Sequence, residues 1–138
     1  MSQVDCIFCK IAAKQMSSTI VFEDEVVFAF LDIGPVSDGH TLVIPKEHID
    51  RFDRCPPQLL SNVCSRLGKI AAAIQKGIGS DGYNILCNNG RAAGQVVDHL
   101  HFHIIPRRTG DNFLDRWPSY KYSAGRAEKI AQNIRNQL

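Results

Sequence analysis

The stretch His99-Leu100-His101-Phe102-His103-Ile104-Ile105 alternates imidazoles with apolar side chains, a period of two. Side chains of a β-strand point alternately to opposite faces, so this period puts three imidazoles on one surface and Leu100, Phe102 and Ile104 in a core on the other. Three of the chain's five histidines fall within these few residues, a poor match to an exposed strand that merely happens to be rich in histidine. A neutral imidazole is a nucleophile, a general acid or base near neutral pH, and a common metal ligand. The row alone does not choose among these roles.

Working outward, the strand extends over residues 96–105 and ends at Pro106, because proline lacks the N–H that a ladder needs. The loop before it, Asn88-Asn89-Gly90-Arg91-Ala92-Ala93-Gly94-Gln95, has small residues whose backbone N–H groups can approach an anion, beside amides that donate to phosphate oxygens. Taken alone, this segment reads better as an ordinary Gly-rich hairpin loop; next to the imidazoles it suggests a phosphate held against one of them. Residues 83–87 form the strand that feeds the loop. Upstream, beyond Pro56-Pro57, Leu59, Leu60, Val63, Leu67, Ile70, Ala71 and Ile74 follow the i, i+3, i+4, i+7 pattern of an amphipathic helix ending near Gly77 or Gly79. Residues 40–44 are a strand stopped by Pro45, and 19–22 with 26–31 are a hairpin across the acidic turn Glu23-Asp24-Glu25. One or two helical turns over 6–14 and a polar helix over 124–138 complete the chain. Strands, a long helix, then strands read as α+β: a five-stranded, mostly antiparallel sheet with one long helix and shorter terminal helices.

At 138 residues with 44% hydrophobic side chains, the chain has enough apolar mass for one core, and a single unit over 1–138 is expected. The net charge of +2 is the remainder of 16 basic and 14 acidic side chains, with no run of either sign. That speaks against a nucleic-acid partner, which calls for a strong basic patch. No stretch approaches the roughly 20 apolar residues of a spanning helix and the start does not look like a leader, so a cytoplasmic protein with no membrane partner is expected. Five cysteines are an odd number in such a chain, so reduced thiols or a metal are expected instead of a disulfide framework.

The run 99–105 resembles the signature of the histidine triad (HIT) family. Asp32-Ile33-Gly34-Pro35, Gly39-His40-Thr41-Leu42-Val43-Ile44-Pro45-Lys46 and the 88–95 loop resemble that family's other motifs, in the right order. The match covers about residues 6–107 and leaves the C-terminal segment 108–138 unexplained. The resemblance implies a homodimer with a purine nucleotide in a cleft. It also implies that His101 attacks the α-phosphorus to form a nucleotidyl-histidine intermediate that water then hydrolyses, covalent catalysis that splits one hard displacement into two easier ones. On the same basis the His99 carbonyl would orient His101, His103 and Asn88 would contact the α-phosphate, and Gly94 and Gln95 would add phosphate contacts. Asp32, with Ile33 beside it, would bind the ribose side of the nucleotide. His40 matches the family's fourth histidine, near the triad and counted with the catalytic group. One position departs: Val96 stands where many relatives have Ser or Thr, and valine cannot hydrogen-bond a phosphate or leaving group. One such contact is worth about 1–3 kcal/mol, a slowed enzyme and not a dead one.

Cys6-Ile7-Phe8-Cys9 has the two-residue gap that lets two thiolates bind one Zn²⁺. By itself this is weak, since two buried, inert cysteines give the same pattern, and the second CxxC or nearby HxxxH of a zinc finger is missing. The zinc-bearing members of the superfamily, to which the chain is similar, imply that His48 and His99 complete a structural Cys2His2 site. Cys55, Cys64 and Cys87 read as ordinary thiols, Arg107-Arg108 as a solvated strand end, and Trp117, Tyr120 and Tyr122 as local packing or as the lining of a partner's cleft.

Two classes of function follow. The first is a nucleotide hydrolase or transferase acting on a nucleoside phosphoramidate or a dinucleoside polyphosphate; the second is a nucleotide-binding or scaffolding protein with vestigial catalysis. An intact His101 between His99 and His103 favours the enzyme. A zinc hydrolase with the three triad histidines as ligands fits less well, because two cysteines stand ready for a structural site.

Overall fold

The computed structural model of the protein describes residues 5–113 and 118–138. The apolar stripe Val63, Leu67, Ile70, Ala71 and Ile74 is buried along one face of the long helix, which spans Pro57–Ile78 and stops at Gly79 as its pattern requires. Among the described residues it is the second of three α-helices: α1 is Ile7–Ala12, α2 Pro57–Ile78 and α3 Arg126–Arg135. Five strands, β1 (Ile20–Glu23), β2 (Val27–Leu31), β3 (Thr41–Pro45), β4 (Gly82–Leu86) and β5 (Phe102–Arg107), form one antiparallel sheet in the order β1-β2-β3-β5-β4.

The two sheet faces are covered differently. Val27, Ala29, Val43, Leu100, Phe102 and Ile104 pack under α2, whereas Phe28, Phe30, Leu42 and Ile44 pack against Cys6, Phe8 and Ile11 on the opposite face. Strands β2 and β3 are thus buried on both sides, which is why they read as nearly continuous apolar runs and not as alternating ones. The hairpin between β1 and β2 turns at Asp24, whose Oδ1 accepts the N–H groups of Val26 and Val27 at 2.9 Å each. Arg66 of α2 donates to Asp24 and to Glu25, tying that turn to the helix.

The structure moves the fifth strand. Its ladder runs over Phe102–Arg107 instead of 96–105, and Pro106 lies inside it opposite Tyr83. Upstream, the His99 N–H closes onto the Val97 carbonyl at 2.8 Å and the Leu100 N–H goes to Ile49 at 2.6 Å, so these residues are hydrogen-bonded outside the sheet. Both prolines expected to stop strands are strand members for one reason. The carbonyls of Pro45 and Pro106 point away from their ladder partners, to His99 Nε2 at 2.9 Å and Ser37 Oγ at 2.8 Å. The missing N–H faces the same side as the carbonyl, where the β3–β5 ladder has already ended, so no bond is lost.

Arg107 and Arg108, expected to be solvated, are engaged. Arg107 donates to Asn84 at 2.7 Å and pairs with Asp111 at 2.6 Å. Arg108 donates to the carbonyls of Ile78 and Gly79 at the C-terminus of α2, where a cation suits the helix dipole. Tyr120 and Tyr122 stack edge-on with each other and are largely exposed; Trp117 lies outside the described residues. No described helix is long and apolar enough to cross a membrane.

Candidate active site and metal centre

Hydrogen bonds assign a proton to each triad imidazole. His101 Nδ1 lies 2.6 Å from the His99 carbonyl, which can only accept, so Nδ1 carries the hydrogen and Nε2 keeps its lone pair. His99 Nε2 lies 2.9 Å from the Pro45 carbonyl, so its lone pair is on Nδ1. His40 Nδ1 accepts the Val36 N–H at 3.1 Å, which puts the His40 proton on Nε2, 2.9 Å from His103 Nδ1. The His103 proton is then on its own Nε2, available as a donor. Burial pushes the pKa of His101 and His40 down and takes His103 to about 4, where the neighbouring His101 and His40 lower it further. All three rings are therefore neutral at pH 7.

Gly39 sets His40 in place. Its φ of +85° is a left-handed conformation, and a Cβ there would sit 2.7 Å from Cγ1 of Ile78. Asp32, at the end of β2, accepts the Gly34 N–H at 2.8 Å and brings Oδ2 to 3.7 Å from His40 Nε2. Asp32, His40 and His103 are close enough to share a cation. The Val36 bond nevertheless holds a proton on His40 Nε2, so the group reads as a hydrogen-bond relay.

His101 and His103 line a cleft of about 360 Å³, the volume of a small-molecule site. Its wall is apolar: Ile7, Phe8 and Ile11 of α1, Phe30, Leu42 and Val97, with Asp32, Ile33, Gly94 and Val96 around the mouth. Ile33 is fully exposed. Helical spacing places Ile7, Phe8 and Ile11 of α1 together on one side without saying that a ligand shares that side, so the wall is not visible from the sequence.

The 88–95 loop contains a 3-10 turn over Arg91–Ala93, and Gly94 is left-handed at φ +86°. A Cβ on Gly94 would meet Asn88 Nδ2 at 3.4 Å, so the absent side chain lets that amide lie against the loop. Gln95, expected among the phosphate contacts, has its side-chain hydrogen bonds within the chain. It is buried, its Oε1 accepts the Gly90 N–H at 2.8 Å, and its Nε2 donates to Asp50 at 2.7 Å and Val97 at 3.1 Å. Its backbone N–H goes to the Gly90 carbonyl. With every donor committed, Gln95 latches the loop.

Cys6, Cys9, His48 and His99 bring their ligand atoms within 4.8 Å of one another. His99 Nδ1 lies 3.4 Å from Cys6 Sγ and 3.5 Å from Cys9 Sγ, and His48 Nδ1 lies 3.3 Å from Cys9 Sγ. With zinc bonds of about 2.3 Å to sulfur and 2.0–2.1 Å to nitrogen, a tetrahedron separates the two atoms by about 3.6 Å, so the donor set fits Zn²⁺. The Pro45 bond supports the fit, because it leaves His99 with its lone pair on the nitrogen facing the sulfurs; burial and the adjacent Cys6 push the Cys9 thiol up to about 11, so a metal there would have to displace its proton. The triad rings therefore divide: His99 goes with the cysteines, His103 with His40, and His101 stands between them. Cys55 is buried in the core under α2, Cys87 is half-buried, and Cys64 is exposed and not part of the apolar stripe.

A family model described as the HIT domain matches residues 13–110. An adenosine 5'-monophosphoramidase of Schizosaccharomyces pombe is 39% identical over 98% of this chain and 99% of its own. A HIT family protein of Bacillus subtilis, solved as a crystal structure, is 44% identical, covers 97% of both chains and superposes with a TM-score of 0.88. A zinc-bound histidine triad family protein of Mycobacterium smegmatis is 34% identical over 98% of this chain and 99% of its own, with a TM-score of 0.76.

Proposed function

The chain belongs to the HIT domain family, and from that premise we propose that it hydrolyses a purine nucleoside phosphoramidate at the α-phosphorus through a nucleotidyl intermediate on His101. One observation carries this reading: the His99 carbonyl holds the Nδ1 proton of a neutral, buried His101, which leaves Nε2 with a lone pair in the cleft. An imidazole so oriented needs no base to make it a nucleophile. Nε2 bonds to the α-phosphorus as the P–N bond to the amine breaks, and water then displaces His101 to release the nucleoside monophosphate. His103, with its proton on Nε2, donates to a phosphoryl oxygen or to the departing amine. Asn88 is a second donor beside Gly94, Asp32 offers an acceptor to the ribose hydroxyls, and the apolar wall with Ile33 receives the base.

The leaving group follows from charge. No lysine or arginine is among the described residues lining the cleft, and Asp32 adds a negative charge there. A polyphosphate would leave with several negative charges unopposed, whereas an amine leaves without that need. The Val96 side chain, exposed at the mouth, offers no hydrogen bond to either. The activity named for the S. pombe relative supports the same choice.

Cys6, Cys9, His48 and His99 would hold a structural Zn²⁺, which when bound supplies a cross-link between the N-terminal helix and the segment before β5. With four protein ligands it keeps no open position for substrate. We also propose a homodimer formed through the free edge of β4, where Tyr83 and Ile85 are exposed, and the exposed face of α2 with Ser61, Ser65, Gly68 and Ala72.

The test compares turnover of an adenosine phosphoramidate and a diadenosine polyphosphate by wild type and by His101→Ala. The phosphoramidate should be the faster substrate, the variant should lose at least about a hundredfold, and mass spectrometry of quenched wild type should find the nucleotide on His101. Equal inactivity of both proteins with AMP still bound would favour a binding protein, and a faster polyphosphate would overturn the charge argument.

A further inference from the structure

The two cysteines of the metal site and the wall of the cleft belong to the same short piece of chain. Cys6 and Cys9 flank the first turn of α1, and Ile7, Phe8 and Ile11 of that helix line the cleft. Six residues are far fewer than a helix needs to stand alone in water, and no side chain caps the N-terminus of this one. What holds α1 is the burial of Phe8 and Ile11 and the approach of its cysteines to His48 and His99, which come from two other segments. Phe8 sits between the two sites. Its ring meets His101 edge-on at 5.2 Å, Phe30 at 5.6 Å and His99 at 6.0 Å.

We propose that Phe8 is a positioning residue that joins the metal site to the nucleotide cleft, so that the metal and a nucleotide bind with positive coupling; this rests on the nucleotide reading above. The His99 carbonyl accepts the His101 proton whatever the His99 side chain binds, so it transmits little of the metal's state. The edge contact between Phe8 and His101 is different, because Phe8 moves with the turn that the thiolates pin. With zinc bound, the base wall and the packing of the nucleophile are already ordered. Without it, a nucleotide must order α1 as it binds, and its affinity falls by the free energy of that ordering. Linkage makes the effect reciprocal: the nucleotide tightens the metal by the same factor.

The experiment titrates AMP calorimetrically into the full-length protein, zinc-loaded and chelator-stripped, and measures zinc affinity by chelator competition with and without saturating AMP. Zinc should tighten AMP by about 5- to 50-fold, and AMP should tighten zinc equally. In Phe8→Ala both factors should fall to within about twofold of unity while one zinc per chain is retained, and Phe8→Leu should keep part of the coupling. If the stripped protein does not hold its fold, cobalt-loaded protein provides a second readout. AMP should shift the visible cobalt bands in wild type and leave them unmoved in Phe8→Ala. Equal AMP affinity in both metal states, or undiminished coupling in Phe8→Ala, would overturn the proposal. If loaded wild type fails to bind AMP, the nucleotide reading itself falls and this proposal with it; binding without coupling removes only the coupling.

Discussion

His101 and its neighbours have their protons assigned by backbone groups: the carbonyls of His99 and Pro45 and the N–H of Val36. Backbone partners keep their chemistry when side chains change, so the tautomer of His101, the proposed nucleophile, is robust to substitution nearby. Gln95 is the opposite case, a side chain that holds backbone together. Gln95→Ala would leave the Gly90 N–H and the carbonyls of Asp50 and Val97 short of partners, and we expect it to lose about 1–3 kcal/mol in urea unfolding and to lower kcat/KM as the loop loosens. Unchanged stability would mean that the loop finds its bonds elsewhere. The alternation of the triad was legible in its spacing, whereas His40, and His48 and His99 beside the Cys6–Cys9 pair, entered only through the family resemblance, since a lone CxxC is a weak signal. The commitment of Gln95 to its own loop was not legible, because an amide beside a Gly-rich turn reads the same whether it faces a ligand or the chain.

At the scale of elements, the clearest signals came from periodicity unbroken by function. The α2 stripe predicted its helix nearly to the residue, and truncating it should act through packing alone. Leu67→Ala, deep between α2 and the sheet, should lower stability by about 2–5 kcal/mol in denaturant unfolding. Its kcat/KM well below the melting temperature should stay within about twofold of wild type, since none of the described residues lining the cleft belongs to the cluster under α2. A large loss of activity at full folding would instead tie the two sheet faces together. Boundaries near the site were less legible. Pro45 and Pro106 look like terminators until one knows that the ladder on their N–H side has already ended, and the 96–101 segment looks like strand until His99 is seen turning back onto Val97. The first error comes from pairing partners distant in the chain, which no local pattern contains; the second comes from a local turn whose residues alternate as a strand's do.

For the whole molecule, buried neutral imidazoles make stability depend on acidity. The ordinary value for histidine is near 6.5, whereas His103 titrates at about 4 in the fold. As the pH falls below 6.5 the unfolded chain takes up a proton that the folded one refuses, so stability present above pH 6.5 is lost down to about pH 4. Tm measured from pH 8 to pH 4 should be flat and then fall through that window, with a shallower fall in His103→Gln; a flat profile to pH 4 would show the ring protonated without penalty. Sedimentation at micromolar concentration should find a species of about 31 kDa, twice the 15.4 kDa chain, and a lone 15.4 kDa species would remove the proposed dimer. His99 finally separates two inheritances. Its ring faces the thiols and its carbonyl holds the Nδ1 proton of His101, and only the first needs to be histidine. A lineage that sheds its cysteines can therefore replace the ring at this position and keep the His101 tautomer, trading the contact that ties its N-terminal helix to this segment for freedom to vary the side chain.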